Sequence, residues 1–406
     1  MSILTFFSGS YCGKSLIVSD VIAQSGFKLL SDNDIVALAS KLSGMPEKKI
    51  ARSFLEKPSV FNKFTHEKER SIAYLRLAVA QSIAQDKCVI EGFTSLLIPT
   101  SISHVLRICL IADKASRIEA AMKEHNLSEK DAGNLISKSD EAHAAWSNTL
   151  YKITDPWDAS LYDMILPTDK MTKDEAVALI LENLKNEVIQ PTKASKKAAE
   201  DFALAARVDV ALSKEGHAVG VSARDGLVTL TINTNVLLLG KLEEELKNIV
   251  QQVEGVSSVE TRIGKGFYQA DIYRRFDFQV PSKVLLVDDE REFVQTLSER
   301  LQMRDMGSAI AYDGESALNL VEADEPDVMI LDLKMPGIDG IEVLKKVKAS
   351  RPDIEVIILT GHGSDADREI CMKLGAFAYL QKPVDIEELS KNLEAANEKI
   401  RQKQKG

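Results

Sequence analysis

Asp288, Asp289 and Asp332 are carboxylates, Thr360 is a hydroxyl and Lys382 an ammonium, and each stands at or near the end of a short apolar run. Three carboxylates drawn together repel unless a cation sits among them, and hard oxygens suit Mg²⁺. A lysine and a hydroxyl beside them can hold the oxygens of a transferred phosphoryl group. Asp332 is then the nucleophile, accepting that group as an acyl phosphate. A second set lies near the start of the chain, in Ser8-Gly9-Ser10-Tyr11-Cys12-Gly13-Lys14-Ser15. Amides of such a loop, at a helix N-terminus, cradle phosphates. Lys14 would reach the terminal phosphates and Ser15 would place its hydroxyl on Mg²⁺.

Positioning the first set requires a buried parallel sheet. Val284-Leu285-Leu286-Val287 runs into Asp288-Asp289-Glu290, and Val328-Met329-Ile330-Leu331 into Asp332. Val356-Ile357-Ile358-Leu359 ends in Thr360-Gly361, and Ala376-Phe377-Ala378-Tyr379-Leu380 leads to Lys382-Pro383. Continuous apolar runs of this length read as strands covered on both faces. In open α/β sheets, chemistry collects beyond the carboxyl ends of the strands.

From about Lys283 to Lys399 the sequence closely resembles the response-regulator receiver domain, with every position of that family's site filled. The resemblance implies that Asp288 and Asp289 are the acidic pair, with Asp289, Asp332 and the Lys334 carbonyl ligating Mg²⁺. It also implies that Lys382 pairs with the phosphoryl group, Thr360 hydrogen-bonds it, and Tyr379 is the aromatic switch. A cis peptide at Lys382-Pro383 and a sensor histidine kinase or phosphotransfer protein as partner follow from the same resemblance.

The second set requires the order strand, loop, helix, and Ile3–Phe7 with Leu16-Ile17-Val18 supplies it. Ser8 replaces the usual first glycine, which works only where φ is not strongly positive. Further strand and helix patterns alternate through Lys28–Leu30, Ile72–Ala84, Cys88–Glu91 and Val105–Ile111. The order is similar to the cytidylate-kinase-like family of P-loop nucleoside monophosphate kinases. That resemblance implies ATP at Gly9, Gly13, Lys14 and Ser15, a monophosphate nucleotide at Asp32 and Asp34, and Arg117 at the entrance of a lid. Glu91-Gly92-Phe93 lacks the family's arginine, and so does Asp140-Glu141-Ala142-His143-Ala144-Ala145-Trp146. Phosphoryl transfer needs cations that neutralise the moving charge. The domain is therefore expected to bind nucleotide and to transfer phosphate poorly. The alternative is a nucleoside monophosphate kinase regulated by its receiver.

Asn186–Lys197, with Pro191, Ser195 and several lysines, reads as a flexible solvated connector. Beyond it come a helix over Ala199–Leu212, a hairpin turning at Asp225-Gly226, and a second helix over Lys241–Val253. The hairpin and Val253-Glu254-Gly255-Val256 resemble a BON domain, and no catalytic constellation is visible there. Phe267–Pro281, rich in aromatics and arginine, is expected to pack on a neighbour.

The expected class is α/β: a P-loop parallel-sheet domain (1–188), a linker (189–197), a small α+β BON-like domain (198–266), a connector (267–281) and a flavodoxin-like (βα)5 receiver (282–403). The 406 residues are 45% hydrophobic, enough for several cores, and the net charge of −10 disfavours a general polyanion binder. Cys12, Cys88, Cys109 and Cys371 lack metal spacing and read as reduced, buried thiols of a cytoplasmic protein. No apolar run reaches membrane-span length, and the apolar N-terminus reads as a strand, not a signal peptide. No helix-turn-helix pattern is visible, so DNA is not an expected partner.

Overall fold

β1 (Ile3–Ser8) is buried at all six residues. A strand with no polar face can form only where helices cover both sides of a sheet. In chain order it is followed by α1 (Lys14–Ser25), β2 (Lys28–Leu30), α2 (Asp32–Ser43), α3 (Glu47–Ala51), α4 (Asn62–Thr65), α5 (Glu67–Ile83) and β3 (Cys88–Glu91). A 3-10 turn at Phe93–Leu97, β4 (Val105–Ile111), α6 (Lys114–His125), α7 (Glu129–Tyr151), β5 (Met164–Pro167) and α8 (Lys173–Leu184) continue the series. The five strands form a parallel sheet in the order β2-β3-β1-β4-β5. Ile3 and Phe7 pack with the cluster under α5, while Leu4 and Phe6 pack with α1 and α8. Burying each such side chain contributes about 2 kcal/mol.

This computed structural model describes residues 2–405 except 55–60, 85–86, 235, 237–238, 265–266, 268–282, 305 and 362. Most of the segment read as an aromatic connector, after Phe267, lies outside the described residues. The chain divides into two units, 1–58 with 68–273 and 59–67 with 274–406. Among the described residues no helix is long and apolar enough to cross a membrane.

In place of the flexible connector the first unit has ordered structure. A 3-10 turn at Glu187–Ile189 buries Ile189, whose carbonyl accepts a hydrogen bond from Ser2 Oγ at 3.0 Å. α9 (Lys193–Lys214) starts at once, capped reciprocally by Thr192 and Ser195. Ser195 is buried and its Oγ lies 2.9 Å from His104 Nδ1. Composition suggested a linker, but a capping box and a buried cap residue start a helix there.

α9 is followed by β6 (Gly220–Arg224), β7 (Leu227–Ile232), α10 (Leu239–Gln251) and β8 (Ser258–Ile263). β6 and β7 pair antiparallel, and β7 and β8 parallel. Asp225 and Gly226 carry φ of 52° and 81°, the two positive values that a two-residue hairpin turn requires. Val228, Leu230 and Ile232 alternate inward from β7. They meet Leu204, Val208 and Leu212 of α9, with Leu242, Leu246 and Val250 of α10. The other face of α9, Phe202, Ala206 and Val210, belongs to the large core around α5. Both sets repeat every four residues and lie two positions apart, which places them on opposite sides of one helix.

The second unit is a doubly wound sheet. Its order is β9 (Val284–Val287), α11 (Arg291–Gln302), β10 (Ser308–Ala311), α12 (Gly314–Ala323), β11 (Val328–Leu331), α13 (Gly340–Ser350), β12 (Glu355–Thr360), α14 (Asp365–Lys373), β13 (Ala378–Gln381) and α15 (Ile386–Lys405). All strands are parallel, arranged β10-β9-β11-β12-β13. The order reverses between β9 and β11, and Asp288 and Asp332 follow those two strands.

Candidate functional sites

Asp288, Asp332, Thr360 and Lys382 stand where their strands end, while Tyr379 lies inside β13. Carboxylate oxygens of Asp288, Asp289 and Asp332 lie within 4.8 Å of one another, with Asp289 exposed and the other two buried. Asp332 is held rigidly: its Oδ1 accepts the Leu333 N–H at 2.8 Å, and its own N–H donates to the Val287 carbonyl at 2.9 Å. α13 begins tight against it. A Cβ on Gly340 would stand 2.2 Å from the Asp332 carbonyl oxygen, so only glycine allows this approach.

Lys382 Nζ lies 2.7 Å from Asp288 Oδ2, 2.8 Å from Glu290 Oε1 and 3.9 Å from Asp332 Oδ2. It also lies 4.5 Å from the centroid of the Phe293 ring. The Lys382 N–H donates to the Thr360 carbonyl at 3.0 Å, and the Lys382-Pro383 peptide is cis as expected. Burial alone would lower the lysine's pKa, but bonds to Asp288 and Glu290 outweigh it and hold the ammonium above its ordinary range. Thr360 is fully buried beside this loop. The Tyr379 hydroxyl occupies the space over Gly363, 1.6 Å from where a Cβ there would sit, and it has no hydrogen-bond partner among the described residues. Glu290 was missed as a functional group. Its one signal was a third acid directly after the Asp288-Asp289 pair.

Burial pushes the Asp288 carboxyl above its ordinary range; bonds from Lys382 and the Glu290 N–H counter this, and the Asp332 charge reinforces it. A carboxyl raised in the folded state favours folding while protonated. That contribution is intact below the unfolded value near ~4 and is lost as pH rises through the folded value. The metal-free protein should therefore give up melting temperature across this rise, and Mg²⁺ should restore it. The Mg²⁺-induced increase in melting temperature is expected to grow as pH rises above the unfolded carboxyl value near ~4. An increase that does not change with pH over that rise would count against Asp288 at the cation site.

In the first unit the loop from Gly9 to Gly13 joins β1 to α1, with Gly13 left-handed at φ 65°. Ser8 is a strand residue and is not among the positions of positive φ, so the missing first glycine costs nothing. Lys14 Nζ lies 3.6 Å from Glu91 Oε2, and Ser15 is exposed at the helix start. Arg117 crosses over the loop. Its Nε donates to the Ser10 carbonyl at 2.8 Å, and its guanidinium holds both oxygens of Asp140, at 3.0 and 2.6 Å. Gly9 makes room for it: a Cβ there would stand 3.2 Å from Arg117 Cζ.

The expected nucleotide acids are otherwise engaged. Asp32 accepts from the Phe93 N–H at 2.8 Å, the Thr94 N–H at 2.8 Å and Thr94 Oγ1 at 2.7 Å, tying α2 to the turn after β3. Asp34 closes a capping box with Ser31. Both carboxylates cap backbone N–H groups, a use that short acidic residues at helix starts favour. Beyond them, rings fill the layer beside β1. Phe93 stacks on Phe54 and His143 at 5.2 and 4.7 Å between centroids, and Phe7 stacks on Tyr162 at 6.1 Å. All four cysteines are buried and free. Burial pushes the Cys12 thiol up to about 11 and the Cys109 thiol up to about 12, so neither is a ready nucleophile.

The acidic cluster after β9 and β11 lies within a stretch that matches a known family. Residues 284–394 match the response regulator receiver domain, and residues 3–170 match the cytidylate kinase-like family. The transcriptional regulatory protein CpxR of Escherichia coli K12 is 41% identical over 114 residues, 28% of this chain and 48% of that protein. Response regulator MprA of Mycolicibacterium vanbaalenii is 34% identical over 116 residues, 29% of this chain and 50% of that one. The chain thus spans about half the length of the curated relatives it matches. A solved receiver domain from Clostridium thermocellum is 33% identical, covering 29% of this chain and 96% of that chain with a TM-score of 0.29. The C-terminal part of the chain is thus similar to response regulator receiver domains, and the N-terminal part matches the cytidylate kinase-like family.

Proposed function

We propose that the chain is a phosphorelay response regulator that accepts a phosphoryl group on Asp332 from a sensor histidine kinase or phosphotransfer protein. The observation that carries this reading is the gathering of Asp288, Asp289 and Asp332 within 4.8 Å, with Lys382 on their edge. An Asp332 carboxylate oxygen attacks phosphorus, and the bond from phosphorus to the donor's nitrogen or oxygen breaks. The donor leaves with that electron pair. Lys382 and Thr360 hold the phosphoryl oxygens, which requires Lys382 to exchange Glu290 for the incoming anion. Mg²⁺ held by the three carboxylates would neutralise charge on the transferring group.

We assign nucleotide binding without efficient turnover to the glycine-loop domain. The Arg117–Asp140 pair and the capped Asp32 and Asp34 support this over a receiver-regulated nucleoside monophosphate kinase. The β6–β8 domain serves as an interaction module.

Labelling by acetyl phosphate is expected to require Mg²⁺. Asp289→Ala should weaken Mg²⁺ binding, followed by fluorescence titration, by at least roughly tenfold, since even outer partners of a metal site are worth that much. Undiminished affinity would show that the metal binds elsewhere.

A further inference from the structure

The first unit contains a second concavity, far in sequence from the glycine loop. α5, the turn after β3, the end of α7, α9 and β6 surround a cavity of about 720 Å³. Its wall is mostly apolar, formed by Leu96, Leu97, Leu150, Phe202, Ala205 and Val221 among others. This volume lies within the roughly 300–1,000 Å³ of small-molecule sites. Left without matching contacts, such walls forfeit dispersion energy.

The charges on the wall identify the occupant's class. Arg76, Lys197 and Arg224 stand against Asp201, Asp209 and Asp225. Arg76 Nη1 pairs with Asp209 Oδ2 at 3.2 Å. Lys197 Nζ lies 3.6 Å from Asp201 and 3.8 Å from Asp225. The Tyr151 hydroxyl donates to the Leu96 carbonyl. A charged ligand would lose its hydration and meet Arg76, Lys197 and the acids already engaged in ion pairs, which is costly, while Arg224 stays exposed to solvent. Asp209 takes its hydrogen bond through Oδ2, leaving Oδ1 for a donor.

We propose that this cavity binds a neutral, mostly apolar small molecule that donates one hydrogen bond to Asp209. The site also touches α7, which carries Asp140, and the turn that Asp32 caps. Its ligand therefore contacts the helix whose Asp140 holds Arg117 over the glycine loop.

N-phenyl-1-naphthylamine, a neutral two-ring fluorophore with a single N–H, tests this on the full chain. Its fluorescence should rise saturably with one probe per chain, and hydrogen exchange should slow in α9, β6 and the turn at Leu96. Ala205→Trp fills the cavity and should weaken binding by at least roughly tenfold while leaving the far-ultraviolet dichroism unchanged. The anionic analogue 1-anilinonaphthalene-8-sulfonate should bind more weakly than the neutral probe. No saturable rise, protection confined to other elements, or tighter binding of the anion would each overturn the proposal. So would a folded Ala205→Trp protein that binds the probe as the wild type does. If that variant does not fold, the wild-type exchange pattern decides.

Discussion

Asp332→Asn is expected to lose Mg²⁺-dependent phosphorylation by acetyl phosphate altogether, a fall of more than about two orders of magnitude. The substitution keeps the shape of a side chain that is buried against Leu333 and the end of β9. It removes the anionic oxygen that must attack phosphorus, and an amide has no comparable nucleophile. The fold should persist, because the amide oxygen can still accept the Leu333 N–H. Intact-mass spectrometry of the wild type and variant, after equal exposure to the donor, reads the acid-labile adduct directly. An adduct of undiminished yield on the variant would place the nucleophile elsewhere. Asp288 and Asp289, its acidic neighbours, would then be the first residues to examine.

The second large effect concerns the glycine loop. Calorimetric titration of the full chain with ATP should show saturable binding, and Lys14→Ala should weaken it by at least roughly tenfold, the loss of one charge-assisted contact to phosphate. Steady-state assay with ATP and CMP should show no turnover above that of the Lys14→Ala protein. The reason is a shortage of mobile cations. Lys14 already faces Glu91, and Arg117 is bound to Asp140 and the Ser10 carbonyl. Arginine fingers contribute about 10³–10⁵ in rate, and α7 carries no arginine. Turnover at the roughly 1–100 s⁻¹ of working kinases would sink this reading.

The acidic edge was legible because Asp288, Asp332 and Thr360 each directly follow a buried apolar run, so position in sequence alone puts them at the sheet's mouth. Val287 to Asp288 and Leu331 to Asp332 are the clearest cases. The glycine loop was legible for a similar reason, since strand, loop and helix are contiguous. Interactions across the chain were not. That Lys382 holds Glu290, or that Arg117 holds Asp140, depends on how long side chains reach between elements, and residue spacing does not encode that. Asp32 misled through its position: an acid at a helix start after a strand can bind a ligand or cap a neighbouring turn, and here it caps. The stretch around Pro191 misled through composition. Lysines and a proline suggested solvent, whereas Thr192 and Ser195 start a long helix with a buried underside.

That helix has a consequence for where the chain can be divided. Phe202, Ala206 and Val210 complete one interior while Leu204, Val208 and Leu212 complete another. A cut before α9 would leave the cytidylate-kinase-like sheet with an open wound on its α5 side. A cut after it would strip the three-stranded sheet of half its lining. α9 is thus joint property of the two interiors, and melting either exposes a face of the other. The family match ends at residue 170, but the packed interior runs on through α9 to the hairpin.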